Sequence, residues 1–180
     1  PELNVNVVST TEQWAGAALA GPKSREVLAK LFPKLDVSND GLPFMGYLEG
    51  DLFGVPARIF RISFSGELAY EINVQSDYGI YMWEKMLELG NEYGIQPYGT
   101  EALSTLRIEM GHVAGPELDG RTIPYDVSLD GMVSKKKDFI GKRSLSKIAF
   151  TQSERQKIVG LIPLDRKTSI PEGSHLVSNK

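Results

Sequence analysis

Cysteine is missing from this 180-residue sequence, and histidine occurs only twice. Without cysteine the chain has no disulfides, no thiolate metal ligands and no cysteine nucleophile. His112 and His175 lie far apart in the sequence and have no partners at the spacing of a metal site, so we predict no bound metal. The absence of cysteine also fits a reducing compartment, and we expect a cytoplasmic protein.

A long apolar run and an excess of basic residues are also absent. No stretch approaches 18 apolar residues, so no membrane-spanning helix is predicted. The formal net charge of −3 disfavours nucleic acid as a partner. No glycine-rich phosphate-binding motif occurs, which disfavours a nucleotide site. The first residues lack the basic and apolar regions of a signal peptide, and we interpret both ends as cut points in a longer polypeptide.

The order of strand-like and helix-like patterns predicts the fold class. Short apolar or alternating stretches predict strands at residues 3–8, 14–21, 42–64 (two or three strands) and 67–74. Apolar residues at helical spacing predict helices at residues 23–32, 77–94 and 99–111. Because hairpins mix with helices, we expect an α+β fold with antiparallel sheets and packed helices rather than alternating βαβ units.

Two of these elements carry more specific expectations. Ser65 and Gly66 are predicted to form the turn of a hairpin that joins residues 60–64 to residues 67–74. In the helix predicted at 77–94, spacing predicts a core-facing stripe made of Ile80, Trp83, Met86 and Leu87.

A domain boundary is predicted close to residue 152. Residues 155–165 have the composition of a strand that opens a new unit, and residues 171–177 are expected to form its first hairpin. We therefore assign residues 1–152 to one region and residues 153–180 to the beginning of a second domain.

Glu71 is an unusual residue for its position in the strand predicted at 67–74. Side chains alternate across a strand, so Glu71 shares a face with Glu67 and Asn73, while Tyr70 and Ile72 lie on the core face. One interpretation is a sheet whose Glu71 side faces solvent. The alternative is a carboxylate aimed into a cleft, where it accepts two hydrogen bonds from an amidine-like edge of a pterin or guanine ring.

Arg107 lies within or beside the apolar stripe of the last predicted helix. An inward-facing arginine must find an anion or several acceptors. One interpretation is a structural ion pair with Glu109 or with Glu71. The alternative is that Arg107 lines a ligand pocket beside Glu71. Spacing in the sequence does not decide between the two.

Four stretches resemble the folate-binding portion of the glycine-cleavage T-protein (aminomethyltransferase) family. They are RISFSGELAYEINV (61–74), YGTEALSTLRIEMG (98–111), VSKKKDFIGKRSL (133–145), and RQKIVGLIPLD followed by PEGSHLV (155–177). They cover nearly the whole chain in the family's order. The family also includes dimethylglycine and sarcosine dehydrogenases and the α subunits of heterotetrameric sarcosine oxidases. YGTEAL (98–103) and SKKKDFIGKRSL (134–145) look most similar to the sarcosine oxidase α subunits.

The resemblance implies a fold and a binding site. Residues 1–152 are expected to be an incomplete aminomethyltransferase-like region of a three-lobed α+β assembly, and residues 153–180 the start of a C-terminal β-barrel domain. Tetrahydrofolate is expected to bind at the centre of this assembly, with Glu71 holding the pterin edge and Arg107 as another folate contact. The family's catalytic aspartate lies upstream of the matched region, so no catalytic residue is assigned.

The resemblance also implies a reaction. The chain is expected to be the tetrahydrofolate-binding part of a sarcosine oxidase α subunit. Folate accepts the one-carbon unit of an oxidised N-methyl amine, which yields 5,10-methylenetetrahydrofolate. Flavin, NAD and the other subunits of the oxidase are expected outside this stretch, which alone is not expected to be competent. The alternatives are an aminomethyltransferase and a non-catalytic folate-binding or assembly module.

Overall fold

The computed structural model describes residues 4–152, 154–171 and 173–177. The chain forms two compact units, Pro1–His112 and Val113–Lys180. The sequence predicted that a second domain begins after residue 152. The division into units at residue 112 does not test that boundary, which stays a prediction.

The first unit is built on one antiparallel sheet of four strands. The strands are β1 (Trp14–Ala20), β2 (Tyr47–Leu52), β3 (Val55–Phe60) and β4 (Ala69–Gln75). Their spatial order is β1-β4-β3-β2, so β4 pairs with both β1 and β3. Phe53 and Gly54 join β2 to β3, and both have positive φ, 51° and 94°. This is the two-residue turn whose twist matches that of the paired strands.

Three helices belong to the same unit, namely α1 (Ser24–Leu31), α2 (Gly79–Gly90) and α3 (Thr100–Met110). Short 3₁₀ turns lie at Thr11–Gln13, Ser76–Tyr78 and Asn91–Tyr93. The α1 and α2 helices contact each other and pack on β1 and β4. They therefore cover one face of the sheet and leave the other face open.

The core of this unit lies between the sheet and α1 and α2. In β4, Tyr70, Ile72 and Val74 are fully buried, whereas Glu71 and Gln75 are exposed. The core continues into the other strands and helices with Leu19, Val27, Leu28, Leu31, Phe32, Val37, Leu42, Leu52, Val55, Ala57, Ile59, Met82 and Met86. The predicted alternation of the two faces is thus confirmed from Tyr70 onwards, whereas Ala69, which alternation places on the face of Glu71, is buried.

The second unit contains little regular structure in its described residues. Its elements are 3₁₀ turns at Gly115–Glu117, Pro124–Val127, Asp130–Met132 and Ser144–Ser146, and one helical turn, α4 (Ile148–Thr151). Ile123 and Val127 are buried. The Arg155 side chain donates to both carboxylate oxygens of Asp126 and to the Arg121 carbonyl, the latter at 2.9 Å. A polar network therefore ties residues 121–127 to residue 155.

The predicted α+β class and all three long helices are confirmed, but several expectations were wrong. Residues 4–8, inside the strand predicted at 3–8, form no strand. The chain between β3 and β4 is an eight-residue loop at 61–68, not a tight turn at Ser65-Gly66. The described part of 155–165 also forms no strand, so the start of a C-terminal barrel stays a prediction, and the hairpin predicted at 171–177 lies partly outside the described residues.

The stripe predicted for α2 was only partly right. Met86 is buried, but Ile80 is 76% exposed and Trp83 43% exposed, and Met82 is buried instead. Met82 and Met86 are four residues apart and define a stripe of their own. Both stripes satisfy helical spacing, and packing against β1 and β4 selects the one that contains Met82.

Candidate functional site

Glu71 lies at the middle of β4 on the open face of the sheet. Its neighbours in register are Ala18 on β1 and Phe60 on β3. Within the described residues no hydrogen bond or ion pair engages its carboxylate. The small Ala18 side chain leaves space on one side, and an aromatic ring flanks the other. An exposed carboxylate in this setting can accept two parallel hydrogen bonds from a planar ligand edge.

Aromatic side chains continue the row that contains Glu71. Tyr47 on β2 pairs with Phe60, and the centroids of the two rings are 5.0 Å apart at a tilt of 38°. The Tyr47 hydroxyl donates a hydrogen bond to the Glu49 carboxylate, which raises the pKa of Tyr47. The row therefore presents a carboxylate beside two aromatic rings.

The next row across the open face contains Gly16, Asn73, Arg58 and Glu49. A Cβ on Gly16 would come within 2.8 Å of the Asn73 side-chain oxygen, so Asn73 occupies the space that the missing side chain leaves. The guanidinium carbon of Arg58 lies over the Trp14 ring, 4.0 Å from its centroid. This is the distance of a cation–π contact, and it joins β3 to β1 across β4.

Arg107 is the only buried residue of α3, a helix described over its whole length, with 8% of its surface exposed. The apolar stripe predicted beside it is not buried, because Leu103 and Leu106 are half-buried and Met110 is exposed. Its Nη1 donates to the His112 carbonyl at 3.1 Å, and its own carbonyl accepts from the His112 N–H at 2.9 Å. Gly111, at φ 83°, turns the chain so that both bonds form. Arg107 thus closes the C-terminal end of α3, where a cation is favoured by the helix dipole.

The end of α3 is also joined to the loop that leads into β4. His112 Nδ1 lies 2.9 Å from the Phe64 carbonyl, and because a carbonyl only accepts, this nitrogen carries the proton. The rings of Phe64 and His112 are 5.7 Å apart. Gly66 has φ 86°, and a Cβ there would lie 2.6 Å from the Met110 sulfur. The loop that precedes Glu71 is therefore fixed to the helix that carries Arg107.

Glu71 and Arg107 thus lie on different elements, one on the open face of the sheet and one at a helix end. A cavity of about 500 Å³ in this unit lies beside β1, α2 and residues 93–100, and neither side chain lines it. That the two side chains contact one ligand stays a prediction.

Reasoning from the sequence missed Arg58, Phe60, Tyr47 and Trp14. Arg58 and Phe60 could have been found, because they alternate with the buried Ala57 and Ile59 along β3. Their proximity to Trp14 and Glu71 follows from the strand order, for which the sequence holds no local signal.

Among the described residues, no group of three or more His, Asp or Glu side chains could hold a metal ion. No helix in the described part of the chain has the length and apolar character needed to cross a membrane.

This geometry defines a class of protein: an α+β domain with an antiparallel sheet that is covered on one face and carries a carboxylate on the other. Residues 1–137 match the family model described as the GCVT N-terminal domain. The chain belongs to this family, which confirms the resemblance drawn from its motifs.

Curated relatives fall into two main groups. The chain is 46% identical to a protein named sarcosine oxidase subunit alpha from Corynebacterium sp. (strain P-1), over 99% of this chain and 19% of that protein. It is 45% identical to the sarcosine oxidase subunit alpha of Rhizobium meliloti (strain 1021), over 99% of this chain and 18% of that protein. An aminomethyltransferase of Halothermothrix orenii is 35% identical over 86% of this chain and 43% of that protein. The chain thus spans about a fifth of the length of these subunits, and the proteins it matches are enzymes by name.

Proposed function

We propose that this chain is the tetrahydrofolate-binding part of a sarcosine oxidase α subunit, which accepts the one-carbon unit of an oxidised N-methyl amine to form 5,10-methylenetetrahydrofolate. The proposal includes flavin and NAD bound elsewhere in the assembly, partner subunits, a cytoplasmic location and a C-terminal β-barrel that begins at residues 153–180. The observation that carries it is the 45–46% identity with named α subunits over 99% of the chain, against 35% for the aminomethyltransferase.

The open face of the sheet suits the pterin part of such a ligand. Glu71 offers two acceptor oxygens that no described residue uses, and the amidine edge of a pterin offers two parallel donors. Phe60 and Tyr47 lie beside this carboxylate and offer apolar ring surface to a planar heterocycle. The folate supplies the nitrogen nucleophile. The residues of this chain therefore bind and orient, which is catalysis by proximity.

Arg107 is proposed as a second folate contact. Its guanidinium lies at the C-terminal end of α3, where Nη1 bonds the His112 carbonyl, and a planar guanidinium matches the geometry of a ligand carboxylate. Since the side chain is held at the helix end before any ligand arrives, its contribution would cost little ordering entropy.

The binding site can be tested by titration calorimetry of the intact protein with folinate, a stable reduced folate. We expect Glu71→Gln to abolish the measurable heat, because the amide presents a donor where two acceptors are needed. Glu67→Gln is the matched control, since Glu67 is an exposed glutamate in the loop just before β4 and should leave the heat unchanged. Equal heats for wild type and Glu71→Gln would refute the site.

An aminomethyltransferase is the second candidate, favoured by the 35% identity to a protein of that name. The two enzymes differ in the donor of the one-carbon unit. If the oxidase proposal holds, the full assembly should form methylenetetrahydrofolate and glycine from tetrahydrofolate and sarcosine, with dioxygen as the two-electron oxidant. If the transferase proposal holds, an aminomethylated carrier protein should supply the one-carbon unit without an oxidant. Folinate binding without either reaction would identify a non-catalytic folate-binding module.

A further inference from the structure

Arg58 lies on the open face of the sheet, but it does not pair with the carboxylate opposite it. It is directly opposite Glu49 on the neighbouring strand β2, and this is the arrangement of a cross-strand ion pair. Yet Arg58 forms no ion pair among the described residues. Glu49 instead accepts a hydrogen bond from the Tyr47 hydroxyl.

The guanidinium is held by an aromatic ring. Its central carbon lies 4.0 Å from the centroid of Trp14, so the side chain extends from β3 over Asn73 towards β1. A ring contact through the flat face of a guanidinium leaves the N–H groups at its rim available to an acceptor. Trp14 therefore fixes the cation in place, and the hydroxyl of Tyr47 interacts with the same guanidinium.

Arg58 and Glu71 are neighbours on this face. Phe60 is directly opposite Glu71, and Arg58 is two residues before Phe60 on the same face of β3. A diagonal pair of this kind has backbones about 7–8 Å apart. The described charged groups that face Arg58 across the sheet are Glu71 and Glu49, with the amides of Asn73 and Gln75 between the strands. An anion is repelled by both carboxylates and attracted only at the Arg58 guanidinium.

We propose that Arg58, held on Trp14, binds a carboxylate on the open face, beside the folate whose amidine edge contacts Glu71. This inference rests on the proposed function, because it takes the open face as the folate face. The opposite charges of the two side chains fix which group lies where: the donor edge of the pterin lies at Glu71 and the carboxylate lies at Arg58. The carboxylate has two sources, the glutamate portion of the folate or the amino acid that carries the one-carbon unit.

The test compares three probes on the intact protein: folinate, a reduced pterin without the p-aminobenzoylglutamate, and sarcosine as substrate. The variants are Arg58→Gln, Arg58→Lys and Glu71→Gln. Lys34→Gln is the charge-matched control, since Lys34 is an exposed cation with no described ion pair. Thermal unfolding of each variant shows whether the fold is intact. Arg58→Lys keeps the charge and tests the fork geometry if Arg58→Gln is unstable.

If the folate supplies the carboxylate, Arg58→Gln weakens folinate binding about tenfold or more, as expected for a lost charge-assisted bond, and leaves the truncated pterin unaffected. If the amino acid supplies it, the yield of methylenetetrahydrofolate per sarcosine oxidised by the full assembly falls about tenfold or more, while both folate probes bind normally. Either result supports the proposal. The proposal is overturned if Arg58→Gln changes all three measurements by less than twofold while the separate Glu71→Gln variant abolishes folinate binding. A wild-type protein that binds neither folate probe instead refutes the proposed function.

Discussion

The units at residues 1–112 and 113–180 are organised by different forces. The first has four paired strands, and its core runs from Leu19 to Met86. The second has no strand in its described residues, and its buried apolar residues there are Ile123 and Val127. Hydrophobic burial dominates folding stability, so the first unit has its own source of stability, whereas the second depends on polar contacts such as those of Arg155.

The family match does not follow this division. It covers residues 1–137 and so includes 25 residues of the second unit, counted from residue 113 to residue 137. A relationship between sequences therefore extends past the sheet unit into a segment that has little core of its own. The family boundary and the boundary of the compact core therefore have different physical origins. Variants in each unit can test whether the two units also differ in stability.

The largest expected effect comes from removing core volume in the sheet unit. Ile72 is fully buried in β4, and Ile72→Ala should lower the free energy of unfolding by about 3–4 kcal/mol. Ile123→Ala in the second unit is the matched substitution, and because Ile123 is slightly exposed its cost should be about 2 kcal/mol or less. Denaturant unfolding of the intact protein measures both. Equal costs would contradict the difference between the units.

A smaller and local effect is expected at the polar network of the second unit. The hydrogen bond from Arg155 lowers the pKa of Asp126. A carboxyl whose folded pKa is depressed stabilises the fold above its unfolded pKa of about 3.9, and this stabilisation is lost as the pH falls through the folded value. Amide hydrogen exchange near residues 121–127 should therefore lose protection as the pH is lowered from 6 to below 4.

Arg155→Gln provides the control for this pH dependence. In that variant protection near residues 121–127 should be low at pH 6 already and should change little on acidification. Protection in β4 should be the same in both proteins, because its amides pair within the sheet. A variant that keeps the wild-type pH profile would show that another group holds this segment.

The turn between β2 and β3 offers a modest gain in stability. Phe53 has φ 51° and is 48% exposed, and the left-handed region is strained for a phenylalanine but tolerated by asparagine. Phe53→Asn should raise the stability by about 0.5–1 kcal/mol, since the contact of Lys85 with the ring, at 5.8 Å, is weak. Phe53→Leu keeps the strain and should bring no gain.

The smallest effect is expected at Glu71 itself. The side chain lies on the open face without a described partner, so Glu71→Gln should change the stability by less than about 0.5 kcal/mol. Calorimetric unfolding without ligand checks this value. A loss of unfolding free energy comparable to that of Ile72→Ala would mean that the carboxylate stabilises the fold.

Local sequence patterns predicted helices and the faces of strands better than they predicted strand pairing and side-chain contacts. The periodicity of residues 23–32 and 99–111 was sufficient for α1 and α3, and alternation placed Glu71 opposite the core. The alternation of Val5 and Val7 with Asn4 and Asn6 predicted a strand that did not form, because a strand also needs a neighbour to pair with, and none of the described strands pairs with residues 4–8. The apolar stripe of α3 predicted burial poorly, since Arg107 is buried while Met110 is exposed. The bond from Arg107 to His112 was not predictable either, because it depends on the turn at Gly111.

The sequence alone determined the three long helices of the sheet unit, the polar face of β4 and the family, because these depend on neighbours along the chain and on motifs. Tertiary structure decided which stripe of α2 is buried and which residues share a row with Glu71. Arg58 meets Trp14 only because β4 lies between β1 and β3. Strand order is a non-local property, set by the burial of the whole sheet against α1 and α2, and no local segment of the sequence encodes it.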